Sequence, residues 1–277
     1  MKERATAKSI EIVRLHERQA PAREPDEVAL EEPLEIQVEG RSIAVLMRTP
    51  GHDRELAVGF ALTESIIRGA EDIFEIITCP TTERPGNSVN IVLRDPERFD
   101  PTKLSRNLLS SSSCGICGKS SIEAAMQQFP PVVSDWKVSA KVLSQLPARL
   151  ASAQETFQRT GGLHACGLFD RQGELLLLRE DVGRHNALDK LIGHELLANR
   201  LPLSDRILLL SGRVSFEMVQ KALAAGITVI AAISAPTSLA VEFAQEGNQT
   251  LIGFLRNETM NVYAGAARLD ERDGLIV

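Results

Sequence analysis

Two cysteines stand three positions apart in SSSSCGICGKSS, a serine- and glycine-rich segment at residues 110–121. This segment has few side chains that could bury Cys114 and Cys117, so we predict that both thiols are accessible. Accessible paired thiols bind metals, cycle between dithiol and disulfide, or carry sulfane sulfur as a persulfide. The chemistry of the pair therefore depends on which further residues the fold brings to it.

A zinc site is the first alternative, and it requires two more ligands at a suitable spacing. His164 and Cys166, in GGLHACG, could supply them and would give a zinc-dependent deaminase-like hydrolase built on Cys114, Cys117, His164 and Cys166. In zinc deaminases a His-x-Glu pair precedes the paired cysteines, and the Glu moves protons. Here the order is reversed and Cys166 stands in place of that Glu, which argues against deaminase chemistry.

A thioredoxin-type dithiol and a structural disulfide are the next alternatives. The redox motif usually opens a helix that follows a strand, whereas residues 101–113 read as a helix followed by a serine linker. Structural disulfides are rare in the cytoplasm. We expect a cytoplasmic chain because its first residues lack the apolar stretch of a signal peptide. Cys79 and Cys166 are accordingly predicted to be small core residues.

A sulfur carrier is the fourth alternative, and it needs no further ligand. A thiolate on an accessible loop can attack a donor persulfide and then reach a second site. The helix predicted to begin just after the thiols, together with Lys119, would favour the thiolate form. The second thiol could then attack the persulfide, release sulfide and close a disulfide. Spacing alone does not rank the carrier above the zinc site.

The strands and helices that would position further functional side chains are most clearly predicted in the second half of the chain. Continuous aliphatic stretches alternate there with segments of helical periodicity, which predicts βα units and a mainly parallel sheet in an α/β fold. The predicted strands are ELLLLRED, RILLLSG, ITVIAAIS and TLIGFLRN, and the predicted helices are NALDKLIGHELLAN, SFEMVQKALAAG and TSLAVEFAQEG.

The first half reads as a smaller α+β unit. Its one clear helix is predicted to end at Gly69. Beyond this unit, residues 140–162 are predicted to be helical, with an interruption at Pro147. We therefore predict an N-terminal domain over residues 1–130, which ends in the Cys-x-x-Cys loop, and a C-terminal domain over residues 131–277. The predicted N-terminal elements are the strand SIEIVRL, the hairpin LEIQVEGRSIAVLMRT, the helix HDRELAVGFALTESIIRG and the strands IFEIITC and SVNIVLRD.

Polar residues follow each predicted strand of the second half, where ligands of open α/β sheets bind. Arginines in three of these four loops, beside residues suited to helix starts, predict an anionic, nucleotide-like ligand. The alternative is that the hydroxyl residues only cap helices and the arginines pair with carboxylates, for example Arg184 with Asp181. Glu217 and Lys221 are expected to form a surface pair. The candidate ligand contacts are Arg184, His185, Ser211, Arg213, Ser234, Thr237 and Arg256.

Composition limits the partners of this chain. It has 277 residues, of which 43% are hydrophobic, and a formal net charge of −6. That balance argues against binding nucleic acid along a broad basic face, although a local pocket can still hold an anion. No run of 18 apolar residues occurs, so no membrane span is predicted.

Several strings along the chain point to one family. CGICG, TGGLHACGLF, EDVGRHNALDKLIG, SGRVSFEMVQKALAAGITVIAAISAPTSLAVE and TLIGFLRNETMNVY occur in this order. Together they closely resemble the formate dehydrogenase accessory sulfurtransferases, the FdhD family. The resemblance runs from residue 28 to Tyr263. EDVGRHNALDK and the Cys-Gly-x-Cys-Gly element are its most specific parts.

The resemblance implies a function. Such proteins take persulfide sulfur from a cysteine desulfurase and pass it to the molybdenum of a bis(molybdopterin guanine dinucleotide) cofactor, before that cofactor enters the formate dehydrogenase apoenzyme. By carry-over, Cys114 bears the persulfide and Cys117 assists it or shares that role. His164 either acts near the sulfur or is structural. The implied cofactor contact near the C-terminus falls on Phe254, Leu255, Arg256, Asn257, Glu258 and Thr259.

The resemblance also implies the fold and the assembly. The second domain should be a three-layer domain that resembles cytidine deaminases without their zinc centre, joined to the N-terminal domain through the flexible Cys-x-x-Cys loop. The protein should be a homodimer. The strand-end arginines would then hold the phosphates of the guanine nucleotide. Glu258 departs from the family pattern, because a carboxylate beside phosphates is unfavourable unless it turns away. The alternative to a sulfur carrier is a non-catalytic chaperone that binds the cofactor and its target apoenzyme but accepts no sulfur.

Overall fold

The structure is a computed structural model that describes residues 4–18, 20–78, 86–99, 129–256 and 258–270. Cys79, Cys114, Cys117 and Asn257 lie outside these residues. Over the described ranges the chain is a mixed α/β protein with three sheets. The strands are β1 (Ala7–Arg14), β2 (Ala22–Ala29), β3 (Glu32–Val38), β4 (Arg41–Arg48), β5 (Ile73–Thr78), β6 (Ser88–Leu93), β7 (His164–Phe169), β8 (Leu175–Asp181), β9 (Ile207–Leu210), β10 (Val229–Ala232), β11 (Thr250–Arg256) and β12 (Thr259–Ala264). The helices are α1 (Asp53–Thr63), α2 (Ala140–Ala153), α3 (Glu155–Thr160), α4 (Arg184–Leu197), α5 (Phe216–Ala224) and α6 (Ser238–Glu246).

The N-terminal half contains the β1-β2 hairpin and a four-stranded sheet in the order β4-β3-β6-β5. The predicted hairpin is β3-β4, and its turn has positive φ at Glu39 (52°) and Gly40 (71°), as a primed two-residue turn requires. Alternate residues of β3, such as Leu34 and Ile36, are fully buried, because one face of the sheet covers the core. The predicted N-terminal strand is confirmed as β1.

The C-terminal half is built on a six-stranded sheet in the order β12-β11-β10-β9-β7-β8. β9, β10 and β11 run parallel, which confirms the predicted arrangement at the centre of the sheet. β7 pairs antiparallel with β8 and β9, and β12 pairs antiparallel with β11. The prediction of a mainly parallel sheet is therefore wrong at both flanks. Short turns join β7 to β8 and β11 to β12, and such turns join only antiparallel strands.

Two predicted helix ends differ in the structure. α1 ends at Thr63 and not at Gly69, because residues 64–67 turn back and their backbone N–H groups bond the last carbonyls of the helix. The later helical segment continues through Pro147 and breaks at Gln154 instead. Burial of one helix face stabilises α2 despite the proline. The buried residues of α2 are Ala140, Leu143, Leu146 and Leu150.

The two halves share one core, and α1 crosses α4 at glycines within it. A Cβ atom built on Gly59 would lie 1.9 Å from the Asp189 carbonyl oxygen, and one on Gly193 would lie 1.9 Å from the Glu55 carbonyl oxygen. Only glycine permits this approach. One cluster of buried residues accordingly contains side chains from both halves, Leu56 of α1 among them. The division at residue 130 stays a prediction.

No helix within the described ranges has the length and apolar character needed to cross a membrane.

Candidate functional site

Four strand ends and two strand starts, those of β7 and β12, meet at a single edge of the six-stranded sheet. β8, β9, β10 and β11 end at this edge, and β7 begins there, because the first residue of β7, His164, pairs with Asp181 at the end of β8. The strand-tip site, as used below, comprises His164 and residues 181–186, 211–215, 234–238 and 254–259. Each predicted cofactor contact within the described residues lies in it.

Backbone hydrogen bonds tie neighbouring segments of the strand-tip site together. Val214 N–H donates to the Ala235 carbonyl (3.0 Å), and Phe254 N–H donates to the Ser234 carbonyl (3.1 Å). The segments after β9 and β10 and the end of β11 therefore form a continuous rim. The sequence predicted separate loops, because periodicity reveals strands and helices but gives no contacts between the connections.

The turn before α4 is held by a buried ion pair. The Lys190 ammonium lies 2.6 Å from Asp181 Oδ2, and both side chains are almost fully buried. Asp181 Oδ1 also accepts hydrogen bonds from Gly183 N–H (2.8 Å) and Asn186 Nδ2 (3.0 Å). Burial lowers the pKa of Lys190, and the charge of Asp181 opposes that shift. The prediction that Asp181 pairs with Arg184 is wrong, because the Asp181 carboxylate forms its ion pair with Lys190.

Two arginines of the strand-tip site, Arg184 and Arg213, have few contacts with the residues that the structure describes. Arg184 Nε is buried and makes no hydrogen bond to any residue that the structure describes. Arg213 is exposed, and it makes no ion pair or hydrogen bond within the part of the chain that the structure describes. An unsatisfied buried donor costs about 1–3 kcal/mol, and an anionic ligand would remove that cost. The alternative that these arginines pair with carboxylates stays open, since the charge of Arg184 helps to lower the pKa of Glu217.

His164 lies among these cationic side chains. Burial lowers the pKa of His164, and the charges of Arg184, His185 and Arg213 lower it further. The neutral imidazole, with one donor and one acceptor nitrogen, is therefore favoured. A Cβ atom at Gly212 would lie 3.1 Å from His164 Nδ1, so this glycine leaves room for the ring. The sequence connected His164 only with zinc or with the sulfur.

His185 is paired with a carboxylate on the next helix. Its Nε2 lies 2.9 Å from Glu217 Oε2, and this contact lowers the pKa of Glu217 although burial opposes the shift. Lys221 does not share the surface of α5 with Glu217. Its ammonium lies 3.0 Å from Asp189 Oδ2 in the interior. The predicted surface pair is therefore wrong, because α5 turns Lys221 towards a buried carboxylate on α4.

The hydroxyl residues have mainly structural bonds. Ser211 Oγ accepts from Ala165 N–H (2.9 Å) and so extends the pairing of β7 with β9. Thr237 Oγ1 accepts from Ala240 N–H (3.3 Å) and caps α6, as the structural alternative predicted. The carbonyl of Ser234 belongs to the rim described above. These bonds position the rim itself, and their role towards a ligand stays a prediction.

The described residues of the predicted contact segment 254–259 belong to the paired strands of a hairpin and not to a loop. β11 continues to Arg256 and β12 begins at Thr259. Phe254 has a φ of 51° and is 39% exposed, because a bulge interrupts the pairing there. Leu255 is completely buried in the core, so its side chain cannot contact a bound molecule. Arg256 Nε donates to the Ile233 carbonyl (3.3 Å), which fixes the start of this side chain.

Glu258 and the hydroxyl of Thr259 lie at the tip of the same hairpin. Glu258 is exposed, and Thr259 Oγ1 donates to the Arg256 carbonyl (3.0 Å). An exposed carboxylate remains hydrated, so its charge need not face a ligand that binds between the strand tips. The contact roles of this segment stay predictions.

Cys166 is unsuited to the zinc alternative. It is 1% exposed, and burial raises the pKa of its thiol well above the ordinary range. Zinc binds the thiolate, which this environment disfavours. The prediction that Cys166 is a small core residue is confirmed. Among the described residues, no three His, Cys, Asp or Glu side chains are grouped so that they could hold a metal ion.

These features define an α/β protein with arginine side chains gathered at one edge of its six-stranded sheet. A family model described as the FdhD/NarQ family matches residues 29–270. The chain therefore belongs to the FdhD/NarQ family.

Its relatives and a solved structure agree with this assignment. The chain is 49% identical to the sulfur carrier protein FdhD of Mycolicibacterium paratuberculosis over 91% of this chain and 94% of that protein. It is 48% identical to the sulfur carrier protein FdhD of Nocardia farcinica over 89% of both chains. It also resembles the crystal structure of a protein from Desulfotalea psychrophila described as a formate dehydrogenase accessory protein. That similarity has a TM-score of 0.76 and 25% identity, and it covers 96% of this chain and 100% of that chain.

Proposed function

We propose that this chain is a sulfur carrier protein required for formate dehydrogenase activity. It accepts persulfide sulfur from a cysteine desulfurase and transfers it to the molybdenum of a bis(molybdopterin guanine dinucleotide) cofactor. The sulfurated cofactor then enters the formate dehydrogenase apoenzyme. The cofactor is a substrate here, and it binds at the strand-tip site. Family membership and the names of the relatives support the carrier role.

The guanidinium of Arg184 provides the observation that supports the cofactor half of the proposal. Its buried Nε lacks an acceptor, and phosphate oxygens are acceptors that match the arginine fork. Arg213 stands in the neighbouring segment with its charge exposed. A guanine dinucleotide carries several phosphates, so two arginines at one rim suit it. The net charge of −6 is no obstacle, because the positive charge is local.

The sulfur half of the proposal rests on Cys114. Its thiolate attacks the outer sulfur of the desulfurase persulfide, and a new S–S bond forms on Cys114. The old S–S bond breaks and the desulfurase cysteine leaves as a thiolate, so the exchange is redox-neutral. Cys117 assists this exchange. Cys166 takes no part, because burial disfavours its thiolate.

The finer architecture belongs to the same proposal. The C-terminal domain is cytidine-deaminase-like, the Cys-x-x-Cys loop connects it to the N-terminal domain, and the protein acts as a homodimer in the cytoplasm. The family resemblance supports these features, and the mixed sheet with helices is compatible with them.

Binding of GDP tests the cofactor half. Arg184→Gln should weaken the affinity about 10- to 100-fold, because a hydrogen bond to a charged group is worth about 1.5–3 kcal/mol. Arg171→Gln is the matched control, since Arg171 lies in the β7-β8 turn at the opposite edge, with its guanidinium 5.3 Å from the centre of the Trp136 ring. Equal affinities of the wild type and Arg184→Gln would refute this half.

Formate dehydrogenase activity in the host tests the sulfur half. A Cys114→Ala strain should lose the activity, because the thiol that accepts the persulfide sulfur is then missing and Cys117 only assists it. A Cys166→Ala strain should retain it. Full formate dehydrogenase activity with Cys114→Ala would refute the carrier role of this residue.

A further inference from the structure

One residue of the N-terminal half is bound to the turn that carries Arg184. Thr49 directly follows β4 and is 1% exposed. Its N–H donates to Asp181 Oδ2 (3.1 Å), and its Oγ1 accepts from Val182 N–H (3.2 Å). Its carbonyl accepts from Lys190 Nζ (2.8 Å). All three polar groups of Thr49 therefore hold the turn or its ion pair.

Besides Thr49, the turn is held by Asp181, which pairs with Lys190 and accepts hydrogen bonds from Gly183 N–H and Asn186 Nδ2. Gly183 is the N-cap residue of α4, and it has no side chain with which to cap the helix. Arg184 Nε has no hydrogen-bond partner of its own. The orientation of the guanidinium therefore depends on the backbone of residues 181–183, and Thr49 Oγ1 is a direct acceptor for that backbone.

We propose that Thr49 is a positioning residue for ligand binding at the strand-tip site. It acts through the N–H of Val182 and the carboxylate of Asp181, and it keeps Arg184 aimed at the phosphates of the nucleotide. The N-terminal half thereby contributes to nucleotide affinity without contacting the nucleotide. This inference rests on the proposed function of the same site.

Thr63 provides a matched comparison in the same half of the protein. It is also 1% exposed. Its hydroxyl donates to Asp189 Oδ1 (2.9 Å) and accepts from Lys221 Nζ (2.8 Å). This second buried network joins α1, α4 and α5 and makes no hydrogen bond to residues 181–183. Removal of either hydroxyl should destabilise the fold, but only Thr49 should affect the site.

The experiment measures the GDP affinity and the urea stability of four full-length proteins. Thr49→Val keeps the backbone bonds of residue 49 and removes only the acceptor of Val182 N–H, so we expect about five- to tenfold weaker binding. Thr49→Ser restores that acceptor and should bind within about twofold of the wild type. Thr63→Val should lose stability to a similar extent and still bind within about twofold.

The outcomes separate this inference from the function on which it rests. Weaker binding by Thr49→Val alone, with recovery in Thr49→Ser, supports the positioning role. Equal binding by Thr49→Val and the wild type overturns it. Equal weakening by Thr49→Val and Thr63→Val also overturns it, since the effect would then follow stability. A wild type that binds no GDP overturns the proposed cofactor site, and the positioning role fails with it.

Discussion

Replacement of Lys190 by Met should strongly destabilise the protein. The variant leaves Asp181, whose side chain is fully buried, without the ammonium that lies 2.6 Å from it in the native protein. Breaking a buried ion pair in this way costs about 3–5 kcal/mol. Asp181 keeps three hydrogen-bond donors, from Thr49, Gly183 and Asn186. These donors reduce the penalty, so we expect a loss of about 3 kcal/mol, the lower end of that range.

Urea unfolding followed by the fluorescence of Trp136, the only tryptophan, measures this loss. The double variant Asp181→Asn, Lys190→Met is the control, because it removes both charges at similar volume. It should be more stable than Lys190→Met alone, since no uncompensated carboxylate remains. A Lys190→Met protein within about 1 kcal/mol of the wild type would refute the reasoning. Strictly additive effects of the two substitutions would also refute it.

Three further predictions concern the junction of the two halves and the core. Burial raises the pKa of Glu55, but hydrogen bonds from His52, Arg179 and His194 lower it more, to well below the ordinary value. The ionised form therefore adds stability above about pH 4.3, and that stability is lost as the pH falls further. In urea titrations at a series of pH values, the free energy of unfolding should fall less below this pH for Glu55→Gln than for the wild type. An equal fall of the unfolding free energy in both proteins would contradict this prediction. Gly193→Ala should lower the free energy of unfolding by about 1–3 kcal/mol in the same titration, because the new Cβ would lie 1.9 Å from a carbonyl oxygen. Gly162→Ala is the control and should cost less, because its Cβ would lie 3.4 Å from the nearest atom. Cys166 should resist iodoacetamide in the native protein and react in urea, as peptide mass spectrometry would reveal; alkylation at the same rate in both states would contradict its burial.

Elements with a regular apolar pattern could be predicted from the sequence. The continuous aliphatic strands β9 and β10 and the amphipathic helix α5 lie where periodicity places them. β7 was missed, because the short string HACGLF has neither the alternation nor the length that distinguishes a strand. β12 was missed for another reason, since the string NET resembles the start of a loop although Thr259 begins a strand that pairs with β11.

The charged interior was the least predictable part of the site. Lysines are almost always exposed, so nothing in the sequence distinguishes Lys190 and Lys221 from surface residues. Their burial depends on carboxylates that only the fold brings near them. Thr49 was missed for the same reason, because its three contacts lie more than 130 positions away along the chain. The strand-end arginines were found, because the ends of neighbouring parallel strands meet at one edge of a sheet.

The mass of the protein after incubation with a cysteine desulfurase and cysteine is the most direct test of the carrier function. The wild type and Cys166→Ala should each gain the mass of one sulfur atom. Peptide mapping should place this sulfur on Cys114, and Cys114→Ala should gain none there. A wild-type protein that gains no sulfur under conditions in which the desulfurase is active, or a Cys114→Ala protein that gains as much as the wild type, would contradict the proposed mechanism.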